Sequence, residues 1–151
     1  MADVGKDYYQ YVYLFPQYKK EFEVYRDPRT GIYIPDFCDN NNYFNLENFD
    51  NFKKNCKKIG DYFSELSDTK FNSNRAIRCK FMNYLINSDE TYNEINGIDI
   101  SDLMEAYQKL SKYKNICKTD INFIEKEILQ DLTDLYNLYE NYNRAHGGGC
   151  E

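Results

Sequence analysis

Tryptophan is missing from these 151 residues, and histidine occurs once. That histidine, His146, stands beside the Gly147–Gly149 run near the C-terminus. A triad built on an imidazole base has no other candidate, so no catalytic residue is expected and the chain is read as not an enzyme. The cysteines are scattered: Cys38, Cys56, Cys79, Cys117 and Cys150 lie 18, 23, 38 and 33 positions apart. No C-x-x-C pair exists to supply the close ligand pairs of a structural zinc site, and no metal is expected. The phosphate-binding G-x-x-x-x-G-K-[ST] loop and EF-hand spacing are also missing, so no cofactor is expected. Glu125, Glu127, Asp131 and Asp134 lie on a helix with a clear apolar face and read as its solvated side.

Basic charge is in deficit. The net charge is −6 and the pI about 4.9, and the Lys19-Lys20, Lys53-Lys54 and Lys57-Lys58 clusters are short and interrupted by acids or asparagine. Nucleic acid is therefore not expected as a partner. No stretch approaches the ~18 apolar residues of a membrane-spanning helix. Residues 1–15 have neither a basic n-region nor a continuous apolar h-region. Ala2 stands where myristoylation needs glycine, and Cys150-Glu151 is too short for a prenylation box. A soluble domain without a membrane span is expected.

Aromatic residues are abundant: 16 Tyr and 10 Phe supply the large buried side chains that the modest aliphatic content does not. Together with 18 Asn they fit an A+T-rich coding sequence, while a tyrosine-rich recognition surface is the sharper reading. The length suffices for one domain with a sizeable core.

The chain is organised around Asn74–Asn87, NRAIRCKFMNYLIN. Ile77, Cys79, Phe81, Met82, Tyr84, Leu85 and Ile86 leave only a narrow polar strip, carried by Lys80, Asn83 and Asn87, with Arg78 isolated near the start. A helix apolar nearly all round needs neighbours on several sides, so it is predicted to be the centre of a bundle. Leu46–Leu66, capped by Asn45, recurs at steps of three and four through Phe49, Phe52, Cys56, Ile59 and Phe63. Ile121 to about Arg144, capped by Thr119 or Asp120, carries Ile124, Ile128, Leu132, Leu135, Tyr139 and Tyr142. The expected core is Phe52, Ile59, Phe63, Ile77, Phe81, Leu85, Ile128, Leu132 and Leu135.

Asp7–Arg26 reads as two short helices or one kinked at Pro16. Residues 27–44 read as an irregular loop, Ser88–Ile95 as a weak helical stretch closed by Asn96-Gly97, and Leu103–Tyr113 as a further helix. The prediction is an all-α single disulfide-braced bundle of five or six helices over residues 1–144, followed by a flexible tail at 145–151. Cysteines inside apolar stripes fit either disulfides or buried free thiols, and spacing leaves the two open.

Three stretches, FKKNCKKIGDYFSEL (52–66), RCKFMNYLIN (78–87) and LTDLYNLYENYNR (132–144), resemble the Plasmodium interspersed-repeat (PIR) family, nearest its vivax (VIR) branch. Phe37-Cys38, Ile116-Cys117 and, more loosely, Tyr11–Phe22 extend the likeness over nearly the whole chain. No single motif is diagnostic; their order and the cysteine spacing carry it. The resemblance implies an all-helical variant antigen, exported by a malaria parasite into the infected red cell and often displayed at its surface. Antigenic variation, immune evasion and adhesion to host cells go with it, and the implied partner is a host cell-surface or serum protein. Many members continue into further cysteines, a transmembrane segment and a cytoplasmic tail, so the chain reads as an ectodomain fragment or a short, soluble member. No R-x-L-x-[EDQ] export motif occurs. An intracellular helical adaptor with reduced cysteines is the alternative, and cysteine oxidation state separates the two.

If the cysteines pair, Cys38 with Cys56 and Cys79 with Cys117 is the expected arrangement, with Cys150 unpaired. Seven extended residues before the Leu46 helix reach about 23 Å, enough to fold back along roughly 16 Å of helix to Cys56. A Leu103–Tyr113 helix antiparallel to the central one would bring Cys117 to Cys79. Partner contacts are expected on the loops Asp27–Asn45 and Asn87–Ser101, which interrupt the helical pattern without adding to its core; Tyr33, Tyr43 and Tyr92 are the candidate anchors.

Overall fold

The computed structural model describes residues 8–24 and 37–147. Tyr33, Cys150 and residues 27–36 of the loop read at 27–44 lie outside the described residues. Every regular element within them is helical. Among the described residues there are seven α-helices rather than five or six, because two single turns were read from sequence as loop or weak helix.

Local chemistry explains where each helix starts. Pro16 falls in the first turn of α1, Phe15–Glu23, where its missing N–H leaves no gap, and a 3-10 turn at Val12–Leu14 leads in. Residues 37–44 are not irregular. A 3-10 turn at Phe37–Asp39 is followed by α2, Asn41–Phe44, whose N-cap Asn40 accepts the Asn42 N–H. Asn45 and Asn48 then take left-handed conformations, φ 57° and 55°. These halt any helix until α3, Phe49–Leu66, so Leu46 precedes the helix it was expected to open. α4 is Arg75–Ser88, α5 is Glu90–Asn93 and α6 is Ile100–Lys114. α7, Lys126–Gly147, begins five residues later than expected and runs into the segment expected to be a flexible tail.

α3 packs on α6, while α1 and α7 pack on α4 and α5 bridges α4 to α6. The buried side chains form one continuous cluster. Phe52, Ile59, Phe63, Phe81, Leu85 and Leu132 are buried in it, and Ile77, Ile128 and Leu135 are partly buried against it. Aromatic edges join the layers: Phe22 of α1 meets Tyr62 of α3 at 5.3 Å and Tyr92 of α5 at 6.0 Å. Cys38–Cys56 ties the turn before α2 to α3, and Cys79–Cys117 ties α4 to the loop after α6, with Cα separations of 5.9 and 5.2 Å. Each such bridge typically stabilises by about 2–4 kcal/mol.

α4 has no continuous solvated strip. Asn83, expected to be polar surface, is 2 % exposed. Its Nδ2 donates to the Tyr8 hydroxyl at 2.9 Å, and its Oδ1 accepts the Asn122 N–H at 2.9 Å. One turn on, Asn87 Oδ1 accepts the Ile124 N–H at 3.1 Å, and its Nδ2 donates to the Asn122 carbonyl at 2.9 Å. These side chains satisfy backbone groups that a helix would otherwise use. The 121–125 segment therefore lies non-helical along α4, and α7 starts at Lys126. Asn55 of α3 does similar work, donating to the Thr91 carbonyl at 2.9 Å.

Asn83→Ala removes together a donor to the buried Tyr8 hydroxyl and the acceptor of the Asn122 N–H. We expect a loss of about 2–4 kcal/mol, the scale of two hydrogen bonds lost at a buried site, seen as a lower urea midpoint. A variant as stable as the parent would show that the 121–125 segment does not depend on Asn83.

Candidate functional site

Three titratable groups beside the core, Arg78, Glu21 and Tyr62, are bonded to one another. Arg78, 7 % exposed and not isolated as its position in the sequence suggested, forms a bidentate pair with Glu21: Nε to Oε2 and Nη2 to Oε1 are each 2.8 Å. Its guanidinium lies between the Tyr18 ring at 4.3 Å and the Phe71 ring at 4.8 Å. Asn74 Oδ1 accepts from Nη1, and the Tyr62 hydroxyl donates to Glu21 Oε2 at 2.6 Å. Burial pushes the Glu21 carboxyl up, but the hydrogen bonds from Arg78 and Tyr62 outweigh it and hold it below the ordinary value. Burial and the Glu21 carboxylate drive the Tyr62 hydroxyl far above its usual range. An acid, a cation and a phenol so mutually satisfied brace α1 against α3 and α4; none is free for proton transfer. Among the described residues no group of three or more His, Cys, Asp or Glu side chains is placed to hold a metal ion.

The Asn87–Ser101 loop named from sequence meets the start of α3, just beyond the other named loop, Asp27–Asn45. Asn48 Nδ2 donates to the Gly97 carbonyl at 3.3 Å and Asn51 Nδ2 to the Asn96 carbonyl at 3.2 Å. Gly97 has φ +88°, and a Cβ there would fall 1.9 Å from Asn48 Nδ2, so only glycine permits this approach. Asn41 brackets Leu46, donating to its carbonyl at 2.8 Å and accepting its N–H at 2.9 Å. A concavity of about 510 Å³ lined by Asn41, Leu46 and Asn48–Asn51 opens here.

The loops do add to the core, contrary to expectation: Phe37, Cys38, Phe44 and Tyr92 are all buried. Tyr92 packs on Phe22 and is no surface anchor. Tyr43 is 36 % exposed, its hydroxyl donating to the Lys109 carbonyl at 2.9 Å. Beside it Tyr113, 55 % exposed, stacks on Phe37 at 3.9 Å. Sequence reasoning missed Tyr113 as surface, since periodicity puts it near the buried stripe; the available signal was its place in the last turn of α6, with no further turn to cover it. Lys53 and Lys57 are not merely solvated but meet Asp39 at 3.6 and 2.8 Å, pinning the 37–39 turn to α3.

A second concavity, about 420 Å³, was not foreseen. It lies among α1, α4, α5 and α7 and is lined by Lys19, Tyr84, Ser88, Asp89, Glu90 and Tyr136, with others. Tyr84 and Tyr136 stack at 5.7 Å on its floor, and Asp89 also caps α5 by accepting the Thr91 N–H at 2.9 Å. Its residues come from four separate helices, so no local motif announces it. No described helix is long and apolar enough to cross a membrane. No family model, curated protein or solved structure matches this chain.

Glu21→Gln should cost about 3 kcal/mol at neutral pH, the lower end for removing one member of a buried pair. The folded carboxyl titrates below the unfolded one, near 4.5. The contribution is therefore complete above that value and is lost as pH falls through the depressed one. Urea unfolding of both proteins across the acid range checks this; equal stability at pH 7 would contradict it.

Proposed function

We propose that the chain is a variant antigen of the PIR family, of the VIR branch, exported to the infected red cell and displayed at its surface. In this reading it acts by protein–protein contact with a host cell-surface or serum protein, serving immune evasion, antigenic variation and adhesion rather than chemistry. The observation that carries the reading is the sequence likeness of residues 52–66, 78–87 and 132–144, in order and with the family's cysteine spacing. Two disulfides on a helical scaffold support it, because such bridges persist in oxidising surroundings and are rare in a reducing cytosol; they weigh against the intracellular adaptor. The loop face supports it too. Asparagine-rich turns and the exposed rings of Tyr43 and Tyr113 are held on rigid helices, the arrangement in which surface residues vary without loss of the core.

Screening the oxidised domain against arrayed host cell-surface and serum proteins should return a saturable binder, with binding weakened by Tyr113→Ala and abolished when the disulfides are reduced. A domain that binds no host protein, yet captures parasite cytosolic proteins equally well with its cysteines reduced, would favour the adaptor and overturn the proposal.

A further inference from the structure

The concavity between α1, α4, α5 and α7 has two properties that point the same way. Its apolar lining is largely aromatic: Phe81, Tyr84 and the aliphatic Leu85 are buried, while Tyr136, stacked on Tyr84, is half-buried. Its rim is acidic. Asp89 and Glu90 line it, and the carboxylates of Glu23 and Glu140 act on the Tyr136 hydroxyl. Burial first, and then charge from Glu140, Tyr84, Glu23 and Asp89, pushes that hydroxyl well above its usual range. Among the described residues the one lining cation is Lys19, 4.0 Å from the Glu23 carboxylate. About 420 Å³ is within the range of small-ligand sites and ample for one long side chain.

We infer that this groove receives an arginine side chain presented by a partner protein. A guanidinium is planar and weakly hydrated, so it stacks on a tyrosine while its fork of N–H donors meets two carboxylates; an ammonium does the second but not the first. An anionic or purely apolar partner segment would leave Asp89 and Glu90 facing it without compensation. The net charge of −6 adds a long-range pull toward basic partners, screened by salt. The inference deepens the contact reading above and rests on it for the partner being a protein, but it concerns a different face from the loops.

The test titrates the disulfide-intact domain with acetyl-Gly-Arg-Gly-Arg-Gly-amide and with its glutamate counterpart, following the tyrosine ring resonances by NMR at low ionic strength. The arginine peptide should shift Tyr136 and Tyr84 saturably and the glutamate peptide should not. Asp89→Asn, which keeps the α5 cap, and Glu90→Gln, on an exposed position, should each weaken binding about two- to fivefold, the size of one exposed charge or cation–π contact. Tyr136→Leu should do the same, with circular dichroism as the check on folding. Absence of a saturable shift at Tyr136, or binding indifferent to both charge-removing variants, overturns the inference. A host receptor whose binding ignores all three variants would also overturn it while leaving the antigen reading intact. Arginine binding in the groove of a chain that finds no host receptor would support the groove and remove that reading.

Discussion

The structure depends on one helix being buried along most of its circumference while still carrying polar groups. α4 holds Phe81, Met82, Leu85 and Ile86 in the core, yet Arg78 and Asn83 are buried with them. Each polar group costs free energy unless it is paired, and each pairing recruits another element. Arg78 brings in α1 through Glu21 and, through Tyr62 on the same carboxylate, α3. Asn83 and Asn87 bring in the N-terminal segment and residues 121–125. Cys79 fixes the loop beyond α6. The helix thus selects its neighbours and their register, which apolar packing alone would leave looser.

Asparagine does much of this work. Its abundance invites a compositional explanation, but at positions 41, 48, 51, 55, 83, 87 and 93 the carboxamide bonds to backbone or buried groups of another turn or element. At 45, 48 and 115 the backbone adopts the left-handed conformation that asparagine tolerates better than most residues. Codon bias accounts for neither placement.

Helical periodicity made the long elements legible. The stripes of α3, α4 and α6 identify them as helices, because burial of one face or of the whole helix writes itself into the spacing of apolar residues. Their ends were less legible. Asn45 looks like an N-cap, but the left-handed turns at Asn45 and Asn48 move the helix start to Phe49. The stripe from Ile121 is apolar at helical spacing, yet tertiary hydrogen bonds from Asn83 and Asn87 keep its first five residues out of the helix. The same limit applies to surfaces. Tyr92 and Tyr113 are both tyrosines near helix ends, one 3 % and the other 55 % exposed; only the neighbouring helix decides which. The groove between four helices has no sequence signature, since its residues meet only after folding.

Hydrogen exchange tests the central claim most directly. If α4 is the hub and its asparagines hold residues 121–125, the N–H groups of Asn122 and Ile124 should be as protected as those of Phe81 to Leu85, although they lie outside any helix. All should exchange only through global unfolding, with the same free energy as urea denaturation reports. Exchange of Asn122 and Ile124 at the rate of an open loop, while α4 remains protected, would contradict the account.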